Sequence, residues 1–526
     1  MKRLISFLTA AAAVCTAMPL TAVPASAAET SAAVQEDGAY PIPDFSCLGA
    51  VGSLSAEETK TAAEAVYQCL RTHQPEICFR DYGIEMNRNN YNELINIYRT
   101  VICGWDAGIL AISNHLSYSP VTGTMAFFYY VSDAEYDAQY AAYTGMLDEI
   151  LSGVQDEWSD AEKALYLHDY IALHYDYDYE AYYGRIERED NEEHSAYGIL
   201  KNGVAVCDGY ANLYSMLLNR LGINTLKVSS NDLDHAWNMV CIDGSWYYVD
   251  VTWDDIYTQY AGVVRHSNFL RTAEELSAAD HTSTDWLVSY MNDIYSSKVP
   301  DTFSNAFWLQ SDSVILRWQD AWVTVGREAP CTLSLHRNIQ PDGTSECTPF
   351  CELEFDQYKW SVWDKPGYTY TRNYVVPAVI GDTLFFTTPA AIYAVQSPEQ
   401  TEPVLIYALS ESEQAEGYLY GLYAKGDTLY YGIDRSIRQP TETLSSPVPY
   451  YALRAADWSA ALLAGDLRYD LNGDSSVTVL DAVALARYVN ESAPEGSFEA
   501  DRADLDQDSI ISLSDLMLML EYLLSV

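Results

Sequence analysis

Basic residues are scarce in this chain: 29 Lys and Arg stand against 75 Asp and Glu, a formal charge of −46. A surface so acidic repels nucleic acid and anionic lipid, which excludes both as partners, and it suits calcium. No CxxC pair occurs, so the ten cysteines do not read as a zinc site. No segment beyond the N-terminal stretch has the length and purity of a membrane span; LMLMLEYLL near the end is short and broken by Glu521. Nor does any carboxylate pair stand in a recognisable glycosidase motif. Hydrophobic residues, by contrast, make up 49 % of the chain, which excludes wholesale disorder and puts the acid on folded surfaces. At 526 residues the chain is too long for one core and should hold two to four domains.

Lys2 and Arg3, an apolar stretch from Leu4, and Ala25-Ser26-Ala27 have the order of a secretory signal, so residues 1–27 read as a signal peptide cleaved after Ala27. Small polar residues 28–40 read as a linker. The expected location is therefore extracellular. Without Cys15, nine cysteines remain, and an odd count leaves at least one thiol unpaired. Residues 41–300 mix helical and strand patterns. Within them Ser159-Asp160-Ala161-Glu162 is a capping box, and His168 and His174 on the helix that follows suit packing. Residues 301–460 turn to short β-type runs with turn signals. Ile380-Gly-Asp-Thr-Leu-Phe-Phe386 returns there as Lys425-Gly-Asp-Thr-Leu-Tyr-Tyr431. Two copies cannot close a propeller, so this region reads as an all-β domain of sandwich or open-sheet type, whose exposed aromatics offer a glycan contact.

Residues 463–526 hold a second repeat. One loop carries oxygen ligands at Asp470, Asn472, Asp474, Thr478 and Asp481, with the Ser476 carbonyl between them. The other carries Asp504, Asp506, Asp508, Ser512 and Asp515, with the Ile510 carbonyl. In each loop these fall at positions 1, 3, 5, 7, 9 and 12, the spacing with which a twelve-residue loop wraps one calcium ion. Two structural calcium sites are expected, and no cofactor for catalysis.

One thiol stands apart. From Cys207 onward, Tyr210, Leu213, Tyr214, Leu217, Leu218 and Leu221 recur at helical steps until Gly222. Cys207 thus sits at a helix start, where unpaired N–H groups and the helix dipole favour the thiolate, although Asp208 opposes it. Further on, Asp243-Gly244 is a two-residue hairpin turn between β-rich arms. Pairing across it sets Ile242 opposite Ser245 and Trp237 opposite Asp250, so His235 and Asp250 share one face as diagonal neighbours. A His oriented by an Asp beside a thiol is the arrangement thiol acyl transfer needs. Cys241, in mid-strand, reads as a packed residue.

The motifs GVAVCDGYA around Cys207, DHAWN around His235 and WYYVDVTW around Asp250 resemble the transglutaminase-like superfamily. HSAYGILKNG (194–203) and His266-Ser-Asn-Phe269 suit that resemblance, which covers about residues 80–285. It implies a papain-like α/β core with Cys207, His235 and Asp250 as catalytic triad, acting on protein or peptide amides. Members include cross-linking enzymes, peptidases, amidases and inactive proteins, so cross-linking and a non-catalytic, glycan-binding or structural role stay open. The C-terminal repeat resembles a type I dockerin, which implies attachment to a scaffoldin cohesin in a cellulosome. Its partner-reading positions fall on Val479, Leu480, Leu513 and Ser514. The expected fold class is α+β multidomain: the transglutaminase-like core, an all-β middle domain, and an α-helical dockerin with two EF-hand-like calcium loops.

Overall fold

A computed structural model of the chain describes residues 42–255, 262–288, 302–326, 331–353, 358–361, 369–372, 375–398, 400, 403–434, 450–465, 471, 479–490, 503, 505 and 510–524. The expected signal and linker lie outside them. So do Asp470, Asn472, Asp474, Ser476, Thr478, Asp504, Asp506 and Asp508.

The thiol helix, Cys207–Arg220, forms on the expected stripe: Tyr210, Leu213, Tyr214, Leu217 and Leu218 are all buried. It ends where Gly222 takes a φ of 79°, a left-handed turn that other residues adopt only with strain. Gly209, in the first turn, serves close approach. A Cβ there would lie 2.4 Å from the Ala205 Cβ and 3.0 Å from the Glu193 carbonyl oxygen.

Beside this helix lies a four-stranded antiparallel sheet in the order Ser245–Val249, His235–Ile242, Thr225–Ser230, Leu287–Val288. The Asp243-Gly244 turn sets the expected register, with Ile242 opposite Ser245. The ladder stops at Asn238 opposite Val249, one pair short of the expected Trp237–Asp250 pair. Asp250 instead opens a short helix, Val251–Asp254, and its own N–H donates to the Asn268 carbonyl at 3.0 Å. Sheet residues divide between two cores. Val240, Ile242 and Val249 pack with the thiol helix, whereas Leu226, Val228 and Met239 pack with the helices Ala56–Arg71 and Tyr91–Gly104.

The helix Asp160–His174 starts on the expected capping box: the Glu162 N–H donates to Ser159 Oγ at 3.3 Å, and the Ser159 N–H to Glu162 Oε2 at 2.9 Å. Glu162 Oε1 also accepts from the Trp322 indole at 2.8 Å. Trp308, Val314, Ile315 and Trp322 join the core of the thiol helix, so packing continues across residue 300.

From Leu316 to Leu453 the described strands form antiparallel meanders of four, two, four and three strands. A helix, Glu411–Glu416, interrupts them. Each copy of the Gly-Asp-Thr-Leu repeat spans a hairpin turn. Gly381 and Gly426 have φ of 55° and 60°, and the copies lie in different sheets.

At the C-terminus, helices Val479–Val489 and Leu513–Leu524 share a small core of Leu471, Ala482, Leu485, Ala503 and Met519. Among the described residues no helix is long and apolar enough to cross a membrane.

Candidate active site

Cys207 is the first residue of its helix, and Val206 before it makes no side-chain capping bond. The adjacent acid is compensated. Asp208 Oδ1 takes a bond from Lys227 Nζ at 2.8 Å, and its Oδ2 lies 2.8 Å from His194 Nδ1. Burial pushes the Asp208 carboxyl up, but Lys227 and His194 outweigh it and hold the group well below the usual range. The opposition to a thiolate expected from Asp208 is therefore met by Lys227 and His194.

His235 begins its strand and is buried. Its Nε2 lies 2.7 Å from Asp250 Oδ2. A carboxylate only accepts, so Nε2 carries the proton and Nδ1 is the nitrogen left free of Asp250, while Cys207 also acts on this imidazole. Burial pulls His235 down, yet Asp250 and Cys207 more than offset it and raise His235 to about 10. The Trp253 ring stacks on the imidazole with centroids 4.7 Å apart.

Asp250 is fully buried and held at both oxygens. Oδ1 accepts from the Trp253 N–H at 3.1 Å, and Oδ2 takes a second imidazole, His281 Nε2, at 2.8 Å. Burial raises this carboxyl, but the two histidines outweigh it and keep Asp250 well below the ordinary carboxylate range. The structure thus brings His235 and Asp250 together, with Cys207 acting on the same imidazole.

Three supporting residues escaped the sequence reading. Lys227 and His281 are two of them. The third, Asn238, sits three residues after His235 and donates from Nδ2 to the Ala211 carbonyl at 2.9 Å and to Ser215 Oγ at 2.8 Å. It ties the histidine strand to the thiol helix one turn beyond Cys207. The DHAWN motif contained it, but which helix it meets depends on tertiary packing.

The other cysteines stand apart from this chemistry. Cys207 is a free thiol, and burial pushes the Cys241 thiol up. His168, fully buried, bonds Asp169 Oδ1 at 2.8 Å and Asp254 Oδ2 at 3.3 Å, and His266 bonds the same Asp169 oxygen at 2.9 Å. Asp169 Oδ2 also accepts from the Ile315 N–H at 2.6 Å, which joins the helix Asp160–His174 to the first β-type segment. His174 Nδ1 bonds the Tyr170 carbonyl within its own helix, as a packing role requires. The groups His168/Asp169/His266 and His235/Asp250/His281 each gather donor atoms within 4.8 Å. In both, the donors hydrogen-bond one another, which accounts for their convergence.

In the C-terminal repeat the described loop residues behave alike. Asp481 Oδ1 accepts from the Leu471 N–H at 2.9 Å, and Asp515 Oδ1 accepts from the Leu505 N–H at 2.6 Å, each ten residues back. Both carboxylates are buried near the starts of the two C-terminal helices. Ile510 and Ser512 precede the second helix, and the Ser512 N–H donates to Asp515 Oδ2 at 2.7 Å. Val479, Leu480, Leu513 and Ser514 stand exposed at the starts of the two helices.

Comparison with known proteins matches the Transglutaminase-like superfamily over residues 146–251, which hold Cys207, His235 and Asp250, and the Dockerin type I domain over residues 468–524. The chain is similar to kyphoscoliosis peptidase of Homo sapiens, 29 % identical over 166 residues, and to that of Mus musculus, 28 % identical over 130 residues. These matches cover 28 % and 22 % of this chain but only 24 % and 19 % of the relatives' own lengths. A crystal structure of a TGase aligns at 19 % identity with 34 % of this chain and 50 % of its own, with a TM-score of 0.20. The chain carries a transglutaminase-like domain and a type I dockerin domain.

Proposed function

We propose that this protein is an exported, cellulosome-attached thiol enzyme that cleaves or transfers amide bonds of proteins or peptides. The observation that carries the reading is the 2.7 Å contact between His235 Nε2 and Asp250, with the helix-start thiol Cys207 among the groups that act on the same imidazole. The Cys207 thiolate attacks the amide carbonyl carbon. Backbone N–H groups at the helix start hold the oxyanion. As the C–N bond breaks, His235 gives its Nδ1 proton to the leaving amine, and a thioester remains on Cys207. Water then attacks the thioester, His235 takes its proton, and the acid leaves with the thiolate regenerated. Asp250 fixes the His235 tautomer throughout and stays ionised.

Water is the default acceptor, which makes hydrolysis the main outcome; a primary amine in its place gives cross-linking. The dockerin places the enzyme on a scaffoldin through a cohesin, with Val479, Leu480, Leu513 and Ser514 as its reading face. The twelve loop positions hold two structural calcium ions. Asp481 and Asp515 support this by each accepting from the backbone N–H ten residues back. The strands between 316 and 453 present exposed Tyr418 and Tyr451, which suit contact with glycan. The test is incubation of the protein with casein, with and without a tagged primary amine. Fragments alone mean hydrolysis, tag incorporation means transfer, and neither outcome with Cys207 intact overturns the reading.

A further inference from the structure

His281 bonds the same oxygen of Asp250 that His235 uses, at 2.8 Å against 2.7 Å. Its Nε2 must be the protonated nitrogen, because a carboxylate cannot donate, and its Nδ1 is buried without a hydrogen-bond partner. A buried nitrogen left unpartnered is costly, so the ring is not there merely to satisfy its own polar atoms. Its placement is firm. The His281 N–H donates to the Leu276 carbonyl at 3.2 Å, and Trp253, Trp237 and Trp286 enclose the ring at centroid distances of 4.0, 5.0 and 6.4 Å.

We propose that His281 is a positioning residue of the thiol site, which divides the Asp250 carboxylate between two imidazoles and thereby tempers the hold of Asp250 on the proton of His235. The inference rests on the triad reading above. A second donor draws charge from Oδ2, so His235 feels less than the full carboxylate. A proton held less tightly is given more readily to a departing amine. The orientation of Asp250 is fixed at the same time, since Oδ1 is committed to the Trp253 N–H and Oδ2 to both rings. The titratable groups that face His235 are Asp250 and Cys207, with His281 across Asp250; Tyr177 faces Cys207 in turn. Among the aromatic rings beside His235, Trp237 and Trp253 are uncharged, and His281 is the titratable one, with centroids 5.8 Å apart.

The test is NMR titration of the full chain labelled with 15N-histidine, with the His235 signal assigned by its loss in His235→Gln. His281→Phe keeps a ring but removes the donor. The His235 midpoint should then rise by about half a unit or more, because Asp250 is no longer shared. His281→Gln, whose amide reaches the Nε2 position, should restore the wild-type midpoint. A ring that only fills space predicts an unchanged His235 midpoint, since phenylalanine fills the same space. An unchanged or lowered midpoint in His281→Phe overturns the proposal, as does failure of His281→Gln to restore it. If His281→Phe does not fold, His281→Asn, whose amide falls short of Asp250, gives the same contrast with His281→Gln. The titration needs no turnover, so a protein that leaves casein intact refutes the enzymatic reading separately.

Discussion

Lys227 Nζ lies 2.8 Å from Asp208 Oδ1, so a strand lysine neutralises the acid next to the nucleophile in sequence. Lys227→Met leaves Asp208 with His194 alone. The less compensated charge disfavours a thiolate beside it, so alkylation of Cys207 by iodoacetamide at neutral pH should slow severalfold. Loss of the charge-assisted bond should also cost about 1.5–3 kcal/mol of stability. An alkylation rate equal to wild type would show that Asp208 does not act on the thiol.

The nucleophile should be Cys207 and not Cys241. A thiol at a helix start gains from the dipole, whereas burial raises the Cys241 thiol. Labelling by an electrophilic peptide should vanish in Cys207→Ala and persist in Cys241→Ala. Equal labelling of Cys207→Ala would place the nucleophile elsewhere.

Asp250→Asn should keep the fold and lower turnover by about 10³–10⁴-fold, through the wrong imidazole tautomer. A loss below about tenfold would remove Asp250 from the mechanism.

Stability should fall as pH rises past neutrality. His235, raised from 6.5 to about 10, and His168, raised to about 9, each contribute stability that is complete below pH 6.5 and lost as pH climbs through those values. Asp169, lowered from 3.8 to about 2, acts in the other direction, and its contribution is lost as pH falls through that range. Thermal melting should therefore drop between pH 7 and pH 10, and less steeply in His168→Gln. A melting temperature constant across that range would contradict the buried ion pairs.

Calcium should govern the dockerin alone. Clustered loop carboxylates repel one another without a cation. Chelation should abolish cohesin binding while leaving Cys207 labelling intact, and Asp470→Ala combined with Asp504→Ala should mimic it. Cohesin binding that survives excess chelator would remove calcium from the account.

What could be read from sequence was local. The helical stripe after Cys207 and the Asp243-Gly244 turn each fix geometry over a few residues, and the turn alone brings His235 and Asp250 to one place. The ladder's last pair was misplaced because Asp250 leaves the strand to cap Val251–Asp254, a choice made by its contacts with Asn268 and Trp253. Lys227 was visible on its strand, but its partner depends on how that strand meets the thiol helix. His281 arrives 31 residues after Asp250 from a separate segment, and no periodicity announces it. The turns of the Gly-Asp repeat were legible for the same local reason. Trp322 in the core of the thiol helix was not, since an apolar strand residue does not reveal what it packs against.

The most direct measurement of the central claim is acid quenching of the protein during reaction with a peptide substrate, followed by mass spectrometry of its digest. The account predicts an acyl adduct, labile to hydroxylamine as a thioester is, on the peptide containing Cys207, and its absence from Cys207→Ala. Turnover with no adduct on Cys207, or an adduct on another residue, would contradict it.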